Sequence, residues 1–246
     1  MNIKEKIIDI FYPNNISCFL CGNDLSKRTK TFICDDCKAQ IPFIKNPCKK
    51  CGRDVPFYDS CRYCAGHKYY FDRAISVVRY DEIVKNCMYN LKKNSHRYLS
   101  RFMAYYMACA VLNNKIKVDA IMCVPASKHT IKSRGFNQAQ DLMRFVNDKL
   151  KLEDLSSHII QIKETSAQKS LDYKERQKIV ADKYKIVKPS KLKGKSVLLV
   201  DDVLTTGATA SKIAQLLKYS GVNKVFVITF ASVTLKDDNV DSFLQL

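Results

Sequence analysis

The sequence predicts an α/β fold: a doubly wound, mainly parallel sheet preceded by a small cysteine-rich module. Three observations predict it. Apolar runs alternate with amphipathic stretches from Phe71 onward, a strand–turn–helix string occupies residues 196–210, and four CxxC pairs fall between residues 18 and 64. A chain of 246 residues suits one sizeable α/β core with a small appendage. The expected division is residues 1–70 for the module and 71–246 for the core.

The module is defined by Cys18/Cys21, Cys34/Cys37, Cys48/Cys51 and Cys61/Cys64, with 12, 10 and 9 residues between successive pairs. A CxxC knuckle brings two thiolates to one tetrahedral Zn²⁺ while local backbone N–H groups stabilise their charge. Four pairs therefore make two Cys₄ sites. Full thiolate ligation leaves no open position, so both zinc ions are expected to be structural. Gly22 and Gly52 follow the second cysteine of their pairs, as knuckle turns require. Consecutive pairing closes the shorter loops and is preferred, with an interleaved cross-brace as the alternative. A disulfide scaffold suits secreted chains, and the opening MNIKEKIIDIFYP mixes acidic and basic residues too early for a secretory signal. Lys45, Lys49, Lys50, Arg53 and Arg62 lie among aromatic residues here, a composition that serves single-stranded nucleic acid binding or the filling of a meagre core.

The core elements follow in order. AISVVRY (74–80) reads as a strand, and 82–93 and 96–113 as helices. DAIMCV (119–124) reads as a buried strand and 137–150 as a helix, before a short strand at His158–Ile162 and a polar helix over 172–181. VFVITFA (225–231) is the last strand. Alternating β and α elements of this kind build a parallel sheet with helices on its faces.

The string SVLLVDDVLTTGATA carries the chemistry. Val197–Val200 reads as a strand buried on both faces, and Asp201 and Asp202 fall at its carboxyl end, where open α/β sheets bind ligands. Thr205, Thr206, Gly207, Ala208 and Thr209 form a turn into a helix with Ile213, Leu216 and Leu217 on one face, ending near Gly221. Backbone N–H groups of such a turn cradle phosphate, and threonine hydroxyls add donors. Adjacent carboxylates accept hydrogen bonds from ribose hydroxyls. A sugar phosphate thus fits, with its diol on the aspartates and its 5′-phosphate on residues 205–209. The lysine of a Walker loop is missing, which argues against P-loop ATP hydrolysis. The string resembles the ribose-phosphate loop of type I phosphoribosyltransferases.

Three further constellations belong to the core. Pro125-Ala126-Ser127-Lys128 follows a buried strand as a basic turn at the same sheet edge. Arg134-Gly135-Phe136-Asn137-Gln138 combines a cation, a glycine hinge and two amides, with Asn137 placed to cap a helix. Thr165-Ser166-Ala167-Gln168, with Arg176, reads as a flap over the pocket. Ser127, Lys128, Arg134, Gly135, Asn137, Gln138 and Gln168 are the pyrophosphate and flap candidates. Cys87, Cys109 and Cys123 read as small buried hydrophobes, and His129 as a surface residue.

The order of these features (CxxC pairs, Tyr80 with Lys92, RGFNQ, TSAQ with Arg176, then VDDVLTTGAT) resembles the ComF family over nearly the whole chain. The resemblance implies a zinc ribbon on a phosphoribosyltransferase-type domain. It implies a role in natural competence, handling single-stranded DNA on the cytoplasmic side of the uptake machinery with other DNA-uptake proteins. It also implies a PRPP or other 5′-phosphoribosyl ligand, with Mg²⁺ accompanying PRPP. Two other functions stand beside this one: an active phosphoribosyltransferase of nucleotide metabolism, and an adaptor with a vestigial pocket.

Net charge is +18, from 42 Lys+Arg against 24 Asp+Glu. Zinc thiolates reduce the excess without reversing it. Eleven of the basic residues lie within 163–195 against four acids, a field that attracts polyanions. The apolar stretch Phe102–Leu112 is shorter than the roughly 20 residues a bilayer span requires. A cytoplasmic protein without membrane insertion is the expectation.

Overall fold

The computed structural model describes residues 17–25, 31–55, 61–93, 97–162 and 183–234. The proposed flap with Gln168 and Arg176, and the helix expected over 172–181, lie outside the described residues.

Five strands form one parallel sheet: β1 (Arg73–Arg79), β2 (Ala120–Cys123), β3 (Glu153–Asp154), β6 (Ser196–Leu204) and β7 (Lys224–Ser232). Their order is β1-β7-β6-β2-β3. Val197, Leu198, Leu199 and Val200 are all fully buried. Successive strand residues point to opposite faces, so the sheet is covered on both. The strand does not stop at Val200. It pairs onward with β7, Asp201 beside Thr229 and Val203 beside Ala231, so the aspartates belong to the strand and not to a turn after it.

Parallel strands need crossovers, and helices supply them. The helices α3 (Glu82–Lys93) and α4 (Leu99–Asn113) lie between β1 and β2 in the chain. After β2 come α5 (Lys128–Arg134) and α6 (Gln138–Leu150), and α7 (Ala208–Tyr219) joins β6 to β7. α4 and α6 pack on each other and on the sheet, with Phe102 edge-on to Phe230 at 5.5 Å. Asp141, nearly buried, holds Arg97 through two bonds of 2.7 and 2.8 Å.

Two expectations are corrected. The residues after β2 are not simply a basic turn, because α5 begins at Lys128. Its seven residues bury nothing. It is held by its ends, the Ser127 hydroxyl accepting from the Thr130 N–H at 2.9 Å and Gly135 closing it at φ 80°. The strand expected at His158–Ile162 forms as β4 (Ile159–Gln161), outside the parallel sheet. It pairs antiparallel with β5 (Tyr184–Ile186) as a separate two-stranded unit.

The cysteine module, with short helices α1 (Asp35–Gln40) and α2 (Arg62–Gly66), packs directly on this core. Phe19 lies 5.0 Å from Tyr98 and Phe43 lies 5.2 Å from Tyr106, ring centre to ring centre. Gly52 sits at φ 71°, and a Cβ there would lie 2.5 Å from the Ala74 carbonyl oxygen, so only glycine lets this knuckle reach β1. No helix among the described residues is long and apolar enough to cross a membrane.

Candidate functional site

The eight CxxC cysteines gather as two sets, Cys18/Cys21/Cys34/Cys37 and Cys48/Cys51/Cys61/Cys64, each with all four sulfurs within 4.8 Å of one another. The consecutive pairing is the one realised. Cys21–Cys34, Cys48–Cys64 and Cys51–Cys61 have Sγ separations of 3.7, 3.8 and 3.5 Å. A tetrahedral Zn²⁺ with bonds of about 2.3 Å sets its sulfurs about 3.8 Å apart, so both sets fit zinc. Burial opposes ionising the Cys18 thiol, yet backbone N–H groups of Cys21, Cys34 and Leu20 bring it down to about 6. Cys48 falls to about 7 by the same opposition of burial and N–H donors from Cys51 and Lys50. Cys37, Cys61 and Cys64 are instead pushed up, by burial first and by the neighbouring thiols of their sets.

A deep cleft lies at the carboxyl ends of β2 and β6. From β2 the chain moves outward to β3, and from β6 it moves outward to β7 on the other side. Neighbouring strands whose connections diverge open a crevice, the usual ligand position in such sheets. The cleft measures about 770 Å³. Asp201 and Asp202 form its floor, the segment after β2 and the start of α6 one wall, and Gln161, Lys183 and Tyr184 of the two-stranded unit another.

The floor is charged and ordered. The Asp202 N–H donates to Asp201 Oδ1 at 2.9 Å, and the Val203 N–H donates to Asp202 Oδ1 at 2.7 Å. Lys92 reaches in from α3, its Nζ 3.0 Å from Asp202 Oδ2. The Asp202 carboxylate holds the Lys92 ammonium above the ordinary lysine range. Asp201 is pushed up to about 8, by burial first and the Asp202 charge second. Burial alone pulls Lys183 down, and burial with the Asp201 charge keeps Tyr184 a phenol. The floor thus places a carboxyl whose ionisation burial opposes beside one held by a lysine, both facing space large enough for a sugar phosphate.

The RGFNQ unit joins this wall. Asn137 caps α6 by accepting from the Ala139 N–H at 3.1 Å, and its amide donates to the Val124 carbonyl at 3.1 Å, tying the segment after β2 to the helix. Phe136 is buried under the Arg97 guanidinium, 5.0 Å from its ring centre. Arg134 lines the cleft and lies 3.4 Å from Gln138 Oε1. The capping role expected of Asn137 and a place in the cleft wall therefore coexist.

Beside the floor, residues 205–209 turn into α7. Gly207 adopts φ 81° and Thr206 Oγ1 accepts from the Ala208 N–H at 3.3 Å. The undersides of Thr205 and Thr206 are occupied by the cysteine module. Arg53 donates to the Thr205 carbonyl, and the Tyr69 hydroxyl donates to the Thr206 carbonyl at 3.0 Å.

Of the residues singled out from sequence, the cleft brings together Ser127, Arg134, Asn137, Gln138, Asp201, Asp202 and Thr209. Lys128, Gly135, Thr205, Thr206, Gly207 and Ala208 are not among its lining residues, the last four forming the turn at its edge, and Gln168 lies outside the described residues. Lys92, Thr130, Lys183 and Tyr184 line the cleft without having been singled out as site residues, and His129 lines it although it reads as an ordinary surface residue. The signal for Lys92 is its i+4 spacing from Met88 on an amphipathic helix, which places it at the edge of a buried face.

A family model of the double zinc ribbon domain matches residues 7–65, and one of the phosphoribosyl transferase domain matches residues 108–242. Competence protein F of Haemophilus influenzae is 27% identical over 220 residues, covering 87% of this chain and 95% of that protein. DNA utilization protein YhgH of Escherichia coli is 26% identical over 218 residues, covering 85% and 94%. Competence protein ComFC of Bacillus subtilis is 22% identical over 226 residues, covering 85% and 91%.

Proposed function

The chain belongs to the phosphoribosyl transferase domain family, in the ComF arrangement with a double zinc ribbon ahead of that domain, and we propose that it acts in DNA uptake and binds a 5-phosphoribosyl compound in its cleft. The observation that carries the pocket reading is the Asp201–Asp202 pair, held on a cleft floor at the edge of a threonine- and glycine-rich turn. A ribose 2,3-diol has two hydroxyls that each donate and accept. Asp202, paired with Lys92, accepts from one, and Asp201 exchanges hydrogen bonds with the other according to its protonation. The 5′-phosphate sits on the turn and the N-terminus of α7. Lys92, Arg134 and Lys183 supply positive charge for pyrophosphate.

Mg²⁺ suits this donor set, because carboxylate and pyrophosphate oxygens are the hard ligands it takes. When bound it would neutralise charge on the pyrophosphate leaving group. The chain's own part is to orient ribose, hold the phosphate ends and exclude water.

The DNA part of the reading is supported by the curated relatives and by a basic, aromatic face. Phe19, Phe32, Tyr98 and Tyr105 form connected ring contacts between the first ribbon and α4. Lys149 lies over Tyr105 at 5.0 Å, and Arg101 and Arg144 flank Phe145 at 5.4 and 5.8 Å. Rings that stack on bases and cations that meet phosphates are what single strands require. The phosphoribosyl pocket and the DNA surface are separate claims with separate tests. Thermal shift with PRPP, ribose 5-phosphate and 5′-phosphorylated oligonucleotides tests the first, since a ligand of the native state raises Tm. No shift with any phosphoribosyl compound contradicts it.

Transfer of the phosphoribosyl group to an amine or base is the second reading, favoured by a cleft of about 770 Å³ lined by Tyr184 as well as the aspartates. Pyrophosphate release from PRPP over a panel of acceptors decides it.

A further inference from the structure

Arg53 is the residue next but one after the ligand cysteine Cys51, yet its guanidinium ends at a loop 152 residues away. The knuckle fixes its backbone: the Cys48 N–H donates to the Arg53 carbonyl at 2.8 Å and the Gly52 N–H to the Cys48 carbonyl at 2.9 Å. Arg53 is fully buried, with its guanidinium over the ring of Tyr63, a residue between the ligands Cys61 and Cys64, at 4.1 Å. One terminal nitrogen donates to the Thr205 carbonyl and the other lies 3.4 Å from the Tyr69 hydroxyl. That hydroxyl donates onward to the Thr206 carbonyl at 3.0 Å.

These contacts fix the direction of the loop's donors. The described peptide bonds are all trans, so each carbonyl and the next residue's N–H point opposite ways. With the Thr205 and Thr206 carbonyls turned into the ribbon, the N–H groups of Thr206 and Gly207 turn away from it. Those are the donors a phosphate nest uses. The fit is tight: a Cβ on Gly207 would lie 2.9 Å from the Tyr69 ring. The Tyr70 N–H donates to Ser211 Oγ at 3.0 Å, fixing the first turn of α7 as well. A buried guanidinium needs counter-charge, and a zinc-loaded four-thiolate set beside it carries net negative charge.

We infer that the second zinc ribbon is the seat of the phosphate loop, with Arg53 and Tyr69 as positioning residues that couple zinc at Cys48/Cys51/Cys61/Cys64 to 5′-phosphate binding at residues 205–209. The inference rests on the phosphoribosyl reading above. Coupling between two binding sites is reciprocal: whatever zinc adds to phosphate affinity, phosphate adds to zinc affinity, commonly by about 5- to 150-fold. The first ribbon makes no such contact with the loop among the described residues, so only one of the two ions is coupled.

The test uses the full zinc-loaded chain with ribose 5-phosphate and Mg²⁺-pyrophosphate as probes. Tyr69→Phe removes one hydroxyl and keeps the packing, and Arg53→Lys keeps the charge without the fork. With two zinc ions retained, both variants are expected to bind ribose 5-phosphate at least about fivefold more weakly and Mg²⁺-pyrophosphate unchanged. In wild type, saturating ribose 5-phosphate should shift the equilibrium partition of one zinc ion against a chelator and leave the other alone. This second measurement needs no variant to fold. Unchanged affinity in Tyr69→Phe together with an unshifted zinc partition overturns the coupling while the pocket stands. Wild type that binds no ribose 5-phosphate overturns the pocket reading and the coupling with it.

Discussion

Lys92 Nζ lies 3.0 Å from Asp202 Oδ2, joining α3 to the carboxylate floor of the cleft. Both side chains are largely buried, 25% and 16% exposed. The pair therefore holds one floor carboxylate in place before any ligand arrives.

Removing that cation has a defined cost. Lys92→Met leaves two neighbouring carboxyls without their counter-charge and should lower stability at pH 7 by about 1–3 kcal/mol. The raised Lys92 ammonium contributes stability that is full below the ordinary lysine pKa and is lost as pH rises through its raised value. The stability difference between wild type and Lys92→Met should accordingly be flat from pH 6 to 9 in denaturant titrations, after allowance for Asp201. Equal stability at pH 7 contradicts the pairing.

Asp201 titrates the other way from most aspartates. Its native pKa of about 8 exceeds its unfolded value of 3.8, so the native state holds a proton that the unfolded state has lost. Its contribution is then most favourable below about pH 4 and erodes as pH rises toward 8. Asp201→Asn removes this erosion, and its Tm relative to wild type should improve from pH 6 to 9. A parallel Tm–pH curve for the two proteins counts against the raised pKa.

Metal removal should act on the module first. Chelation should release two zinc ions per chain, and Cys21→Ser should leave about one, with the rest of the fold retained. Metal analysis with far-UV circular dichroism reads both. One zinc in wild type contradicts the paired clusters.

Gly207→Ala meets two obstacles at once, the left-handed φ of 81° and the Tyr69 ring. A destabilisation of about 1–3 kcal/mol is expected, accompanied by loss of ribose 5-phosphate affinity. Thermal unfolding and titration calorimetry measure the two separately. Unaltered binding in the alanine variant contradicts a loop that must hold this shape.

How much of this was legible in the sequence varied with the range of the forces involved. The runs at 197–200 and 225–231 announced buried strands because continuous apolar residues have no other stable home in a soluble fold. The zinc pairs were legible because ligand spacing is local. The helix α5 was not, since KHTIKSR has no apolar stripe and depends on Ser127 and Gly135 at its ends. The extension of β6 through Asp201 and Asp202 was hidden because pairing with β7 outweighs the poor strand preference of aspartate. The β4–β5 unit joins segments separated in sequence by residues 162–183, and no local pattern announces such a pairing. The hold of Arg53 on Thr205 is longer still in sequence, and its lysine- and arginine-rich surroundings read only as a basic module.

The central claim, a ribose phosphate held by Asp201 and Asp202, is tested most directly by titration calorimetry of ribose 5-phosphate into wild type and the Asp201→Asn/Asp202→Asn variant. One site per chain is expected in wild type and at least tenfold weaker binding in the variant, a loss of about 1.4 kcal/mol or more, with two zinc ions retained in both. Equal affinity in the two proteins contradicts it.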